Sequence, residues 1–479
     1  MSCITQLPME LYQKVIWELR NAPDTLKAIS ITCRSLSSTS QQTLFAAITI
    51  RSPFRCCSQY QYSFGGSPEA FLDLLNTSPH IANYIRALEL FEYPTYPKCG
   101  CSVHPSWWPS IDRSWIKEDS NLQHCLPLLR NLQAFVLTYS QPNRLPNEES
   151  LDEALSMPVV TSIQQLLRLP SLVHFDVDSF PVFSLLQNAG PNLKHVFMSK
   201  TSRKEASLLQ ASSTGHDDHM PVIHLESLSI GYWSDIEDVR NALSEPKCNL
   251  SLCKLKRLYC ILYEKLEYQI HLSKILDACV ESLEELMVHL ASPDTSITES
   301  IPGFAKYNEH LDLSAFKSLR RLRVSLQYGQ KYKQNQIPWF LKFLSSLSGL
   351  NGALEEITID FDLEYSPQAE AHLDLWNPLP SVLLSGRYPK LRMLKMKILT
   401  ETALYGTLAL FEESDFVRRL REMRGFVVEL QVQSTFPRIS LSSYLTSDPS
   451  WLSTFTKQRL NDLQVKSDES EEWDSDYSD

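Results

Sequence analysis

The chain has 479 residues, 43% hydrophobic and 21% charged, with a formal net charge of −11. Asp468, Glu469, Glu471, Glu472, Asp474, Asp476 and Asp479 supply most of that charge, so the rest is near neutral and lacks the basic excess of a nucleic-acid binder. No run of eighteen apolar residues and no basic segment leading into an apolar one marks a membrane span or a secretory leader, and 11 scattered cysteines read as reduced, packed thiols, so the expected compartment is cytoplasmic or nuclear, with no membrane and no nucleic acid as partner.

Residues 4–45 read as a compact helical unit. Leu7-Pro8 opens a helix, since proline's missing N–H is unpaired in a first turn anyway. Leu11, Val15 and Leu19 then share one face, with Ile16 beside them. After the Asn21-Ala22-Pro23 break, Asp24 is placed to cap a second helix in which Leu26, Ile29, Cys33 and Leu36 fall at helical spacing. A third short helix is expected to end near Leu44-Phe45.

Leu7-Pro8-Met9-Glu10-Leu11, Val15, Leu19, Leu26, Ile29, Cys33-Arg34 and the closing Leu44-Phe45 together resemble an F-box. Thr32 and Leu36 depart from it, standing where a valine and an aromatic residue are common. The resemblance implies docking onto the Skp-type adaptor of a cullin-RING (SCF) ubiquitin ligase, with Leu7, Pro8, Leu11, Val15, Ile16, Leu19, Leu26, Ile29 and Cys33 as the adaptor-binding set. An N-terminal cap sealing the first unit of a repeat array would account for the same helices.

From residue 45 onward one phrase recurs, with apolar residues at its first, fourth and sixth places. Its copies are Phe45/Ile48/Ile50, Ile85/Leu88/Leu90, Leu132/Phe135/Leu137, Leu172/Phe175/Val177, Leu193/Val196/Met198 and Leu225/Leu228/Ile230. They continue as Leu255/Leu258/Cys260, Leu283/Leu286/Val288, Leu319/Leu322/Val324, Leu354/Ile357/Ile359, Leu391/Leu394/Met396 and Val427/Leu430/Val432. The mean period is about 35 residues, with steps from 21 to 47.

Helix phrases separate the strands: Pro68 to Leu75, Ile236/Val239/Leu243 behind a Ser234–Glu237 capping box, Leu272/Ile275/Leu276/Cys279, Phe340/Phe343/Leu344/Leu347 and Phe416/Leu420/Met423. A strand followed by a helix, repeated in one direction, closes its hydrogen bonds as a parallel sheet with helices on one side. The expected fold is therefore α/β, a three-helix F-box fused to a right-handed leucine-rich-repeat-like solenoid whose helices line the convex side. Its organisation is 4–45 F-box, 46–433 solenoid with insertions at 91–120, 141–160 and 199–223, 434–465 capping segment and 466–479 acidic disordered tail.

Chemistry-bearing motifs are sparse. Cys99-Gly100-Cys101-x-x-His104, with Cys56-Cys57 upstream, lacks the two-residue gap that aims both sulfurs at one zinc ion, and His216-Asp217-Asp218-His219 reads as a solvated loop. Trp107, Trp108 and Trp115 suit either binding anchors or pins that hold the 91–120 insertion in place. No nucleophile elbow, phosphate-binding loop, zinc-protease or dinucleotide motif occurs, so neither catalysis nor a metal nor a cofactor is expected.

That leaves surface recognition. The places two, four and six after each first position face the open concave side, and Arg257, Tyr259, Met287, His289, Arg321 and Arg323 are the group richest in hot-spot residue types. The function this reading implies is a non-catalytic substrate-recognition subunit of an SCF-type ubiquitin ligase, its F-box on a Skp-type adaptor and through it a cullin, its repeats on a protein substrate. The alternative is an F-box and leucine-rich-repeat scaffold acting outside a ubiquitin ligase.

Overall fold

The computed structural model describes residues 8–19, 22–51, 67–92, 115–139, 155–178, 182–187, 189–199, 221–231, 236–245, 248–263, 266–291, 315–329, 336–346, 353–364, 369–384, 388–400, 404–423 and 425–434. They fall into two compact units, Met1–Ile223 with Glu245–Asn249 and His224–Ser244 with Leu250–Asp479.

The first unit begins with three helices, α1 (Met9–Glu18), α2 (Pro23–Thr32) and α3 (Arg34–Leu44). Two starts differ from expectation. Pro8 sits just outside α1 as its cap, with extended backbone at φ −54 and ψ 143, and its carbonyl accepts the N–H of Leu11 at 3.0 Å. Asp24 is not the cap of α2, because Pro23, whose ring presets a helical φ, starts the helix two residues earlier, with Ala22 at the cap position. The Asp24 carboxylate lies instead in the first turn, where the helix dipole favours it, and pairs with Lys27 at 3.2 Å.

Only Phe45 and Ala46 separate α3 from the first strand. Five parallel strands follow in the first unit: β1 (Ala47–Arg51), β2 (Ala87–Glu92), β3 (Ala134–Tyr139), β4 (His174–Asp178) and β5 (His195–Ser199). Among the described residues the second unit contributes seven strands of the same kind: β6 (Ser227–Ile230), β7 (Arg257–Tyr263), β8 (Glu285–Ala291), β9 (Arg321–Gly329), β10 (Glu356–Glu364), β11 (Met393–Thr400) and β12 (Val427–Ser434), again parallel and in sequence order. Consecutive strands are neighbours, as a βα repeat without crossovers to distant strands requires.

The phrase found in the sequence sets the register. Leu286 pairs with Leu322, Leu322 with Ile357 and Ile357 with Leu394, fourth position against fourth position. At the steps from β6 to β10 one carbonyl accepts two N–H groups from the next strand's start: Glu284 O takes those of Arg320 and Arg321, and Arg320 O takes those of Glu355 and Glu356. All three apolar places are buried in every copy from Ile85/Leu88/Leu90 to Leu354/Ile357/Ile359.

The last copy is the exception. Leu394 pairs with Val428, not Leu430, and Val427 N–H donates to Arg392 O, so β12 is shifted by two residues from the expected frame. Its first position is Gly425, at φ 78, which offers no apolar side chain. Strand alternation repeats every two residues, so Val427/Leu430/Val432 imitates the phrase one step further on, and Val427, read as a core residue, is 49% exposed.

Helices cover the face onto which these apolar rows point. In the second unit Phe361 of β10 packs on Trp376 at 5.4 Å and on Phe411 at 6.3 Å, and Trp376 also meets Phe340 and Phe416. Those partners lie in helices Gln336–Ser346, Leu404–Glu413 and Asp415–Arg421 and in a 3-10 segment, Ala369–Trp376. In the first unit Phe135 and Phe175 stack at 5.8 Å between adjacent strands. A helix over Met157–Leu167, with Val159, Val160, Ile163, Leu166 and Leu167 buried, occupies the end of the stretch expected to be irregular at 141–160. Pro158 and the β-branched residues after it mask the helical period in the sequence, since they also suit a loop leading into a strand.

Trp115 is 5% exposed and donates through Nε1 to Phe91 O at 3.3 Å, which holds the C-terminal part of the 91–120 insertion on the end of β2. Trp107, Trp108, Cys56, Cys57, Cys99, Cys101, His104, His216, His219, the Ser234 cap, Leu347 and the segments 434–465 (from residue 435) and 466–479 lie outside the described residues. Among the described residues no helix is long and apolar enough to cross a membrane.

Candidate functional site

Two surfaces carry the residues singled out by the sequence. The first is the helical module. Its predicted set divides by the helix geometry: Ile16 and Leu26 point inward and are buried at 2% and 0% exposure, while Leu11 and Val15, one turn apart on the opposite side of α1, are 44% and 58% exposed. Pro8 is exposed, Leu19, Ile29 and Cys33 are half-buried, and Leu7 lies outside the described residues. Ile31, which the sequence reading passed over, is 84% exposed on α2. Its signal was present: five residues after Leu26, it falls off the inward face marked by Leu26 and Ile29.

Cys33 caps α3, with its Sγ 3.2 Å from Ser35 Oγ. The Ser35 hydroxyl first, then the Leu36 backbone N–H, hold its thiol below the ordinary range. Cys125, Cys260 and Cys279 behave oppositely: burial pushes each up to about 12, so they pack as neutral thiols.

The second surface is the sheet face turned away from the helices in the second unit. Register arranges its side chains in rows across the strands. The first row reads Ser227, Arg257, Glu285, Arg321, Glu356, Met393, and the second Ser229, Tyr259, Met287, Arg323, Thr358, Lys395. The third continues Ile261, His289, Ser325, Asp360, Lys397. The register thus brings all six predicted residues onto adjoining strands.

Their exposure is uneven. Arg321 is exposed and Arg257 and Arg323 are half-buried, but Tyr259, Met287 and His289 are buried at 5%, 6% and 8% exposure. The face is accordingly accessible along its first row from Arg257 to Met393, with Ser227 buried at its start, and covered along much of the next two, where Ser229, Ser325 and Asp360 are also buried. The simple alternation of strands made these places look uniformly open.

Charge along the first row alternates from Arg257 to Glu356, and Arg321, Arg323 and Lys395 are engaged by carboxylates. Arg321 Nη2 lies 3.0 Å from Glu285 Oε2, a charge contact without hydrogen-bond alignment. Lys395 Nζ lies 2.9 Å from Glu356 Oε1, and Arg323 Nε donates to Asp360 Oδ2 at 2.5 Å. The Asp360 side chain is 2% exposed, so this last pair is the desolvated one, while the Arg321 pair is half in water. Burial, then the Arg323 guanidinium, lower the Lys397 pKa, against the opposing pull of the Asp360 carboxylate. Burial takes His289 down to about 4, so its ring is neutral near pH 7.

The first unit's corresponding face carries buried polar groups as well. Glu89 accepts from Thr49 Oγ1 at 3.0 Å, and His174 and His195 are register neighbours with ring centroids 6.2 Å apart. Among the described residues no three His, Cys, Asp or Glu side chains come together to hold a metal ion. The chain's fold class is thus an α/β protein of repeated parallel strands with a solenoid-like strand order inside each unit. Comparison with known protein families and with curated proteins finds no match for this chain.

Proposed function

We propose that the protein is a substrate-recognition subunit of an SCF-type ubiquitin ligase. Its N-terminal helices act as an F-box on a Skp-type adaptor, and its sheet face binds a protein substrate. The observation that carries this reading is the exposed apolar trio Leu11, Val15 and Ile31 on a three-helix module joined by two residues to the first strand of the repeats. Leu11 and Val15 lie one helical turn apart on α1, and adjoining large apolar side chains left in water support a contact surface there. The short junction supports a rigid arm, which raises the effective concentration of substrate near a ligase's catalytic subunits. Catalysis then belongs to those subunits.

The test is capture of the chain by a purified Skp-type adaptor, comparing the natural protein with a Leu11→Asp/Val15→Asp variant. Both positions point outward, so the variant keeps its fold, and retention should fall by at least tenfold. Equal retention of both, or none of either, overturns the adaptor reading. Retention of the adaptor without recruitment of a cullin would place the protein outside a ligase, as a scaffold.

A further inference from the structure

Strand β12 is last in the strand order among the described residues, and its outer edge faces no other strand there. Its inward side chains are also incompletely covered. Val428, Leu430 and Val432 are half-buried, whereas their register partners Leu394, Met396 and Ile398 are each at 0% exposure. Val427 N–H donates back to Arg392 O, so by strand alternation the N–H groups of Val428, Leu430 and Val432 point to the outer edge. An eight-residue edge of sequence Val-Val-Glu-Leu-Gln-Val-Gln-Ser, with one charge, is a template for pairing.

The chain itself carries a segment of matching pattern. Leu460-Asn461-Asp462-Leu463-Gln464-Val465 has apolar residues at its first, fourth and sixth places. Once the frame of β12 is corrected to start at Gly425, Leu460 follows it by 35 residues, after steps of 37 from Leu354 to Leu391 and 34 from Leu391 to Gly425. The 25 residues between Ser434 and Leu460 exceed the dozen or so that a parallel crossover needs, and they include Trp451, Leu452 and Phe455 at helical spacing behind Asp448-Pro449.

We propose that residues 460–465 dock on the outer edge of β12 as a further parallel strand, with Leu463 beside Val428 and Val465 beside Leu430. This continues the apolar rows, and Gln464 then stands beside Glu429 on the other face. Docking protects the edge from self-association and anchors the acidic stretch from Asp468 at the sheet. The proposal does not depend on the adaptor reading.

Residue-resolved hydrogen exchange tests it on four full-fold proteins: the natural chain, a chain ending at Gln458, a chain ending at Ser467, and the full chain with Leu463→Asp/Val465→Asp. The amides of Val428, Leu430 and Val432 should exchange at least tenfold faster in the Gln458-ended and double-Asp chains, and at the natural rate in the Ser467-ended chain. Equal rates in all four overturn the proposal. So does protection that rises with protein concentration alongside a doubled mass in light scattering, which would identify a second copy as the occupant. As an independent check, Glu429→Cys with Gln464→Cys should form an intrachain crosslink at dilution, mapped by peptide mass; its absence under oxidant also counts against docking in this register.

Discussion

Asp360→Ala removes one partner of a deeply desolvated ion pair on the sheet face. The substitution removes a carboxylate held 2.5 Å from Arg323 Nε, with the Asp360 side chain 2% and the Arg323 side chain 22% exposed. Breaking a buried pair by deleting one partner typically costs about 3–5 kcal/mol, because the remaining charge loses its compensation. The Arg323 guanidinium recovers some hydration through its exposed fifth, and Lys397, already lowered by burial and by Arg323, can shed its proton more readily once Asp360 is gone. The expected loss is therefore about 2–4 kcal/mol. Urea denaturation at pH 7, followed by circular dichroism and tryptophan emission, reads it as a drop in midpoint at constant slope. Asp360→Leu combined with Arg323→Met should recover to within about 1 kcal/mol of the natural protein, since an apolar pair needs no charge compensation. A single-variant loss below about 1 kcal/mol, or a double variant no better than the single, would refute the claim that desolvation governs this pair.

Other predictions follow from the same geometry. Arg321→Glu, at a half-exposed pair, should change stability by no more than about 1 kcal/mol, and if the first row binds a partner it should weaken capture of that partner; Arg323→Glu would unsettle Asp360 and cannot serve as the same probe. Leu322→Ala, at 1% exposure in the inward row, should cost about 2–5 kcal/mol in the same denaturation assay. His289 has its pKa lowered from 6.5 to about 4 by burial, so the unfolded chain takes up this proton first. Its contribution is present above pH 6.5 and is lost as pH falls toward 4, at no more than about 1.4 kcal/mol per unit; His289→Gln should flatten that part of the acid-side slope, and an unchanged slope would mean the ring is already charged in the folded state. Gly425→Ala should cost about 1 kcal/mol from its φ of 78, without a clash, since nothing lies within 4 Å of the added Cβ.

Much of the fold was legible because its signal is local and repeated. Leucines three residues ahead of an alternating pair recur often enough to declare strands, and the helix phrases between them imply parallel pairing. The reading slipped at Gly425, where a glycine removed the apolar marker while alternation supplied a substitute two residues on. Ile31 was not legible as a contact residue, because helical spacing marks the inward face of α2 and exposure, which distinguishes a contact residue from a core one, belongs to the folded chain.

By itself the sequence determined the period, the strand order and the inward rows, since each follows from spacing within a few tens of residues and from the need to bury apolar side chains. Only the tertiary structure decided which outward residues meet. Arg321 reaches Glu285 and Arg323 reaches Asp360 across strands more than thirty residues apart, and lateral register, not local spacing, selects those partners. Burial of Tyr259, Met287 and His289 was likewise decided there, because the alternation that turns a side chain away from the helices does not say what else covers it.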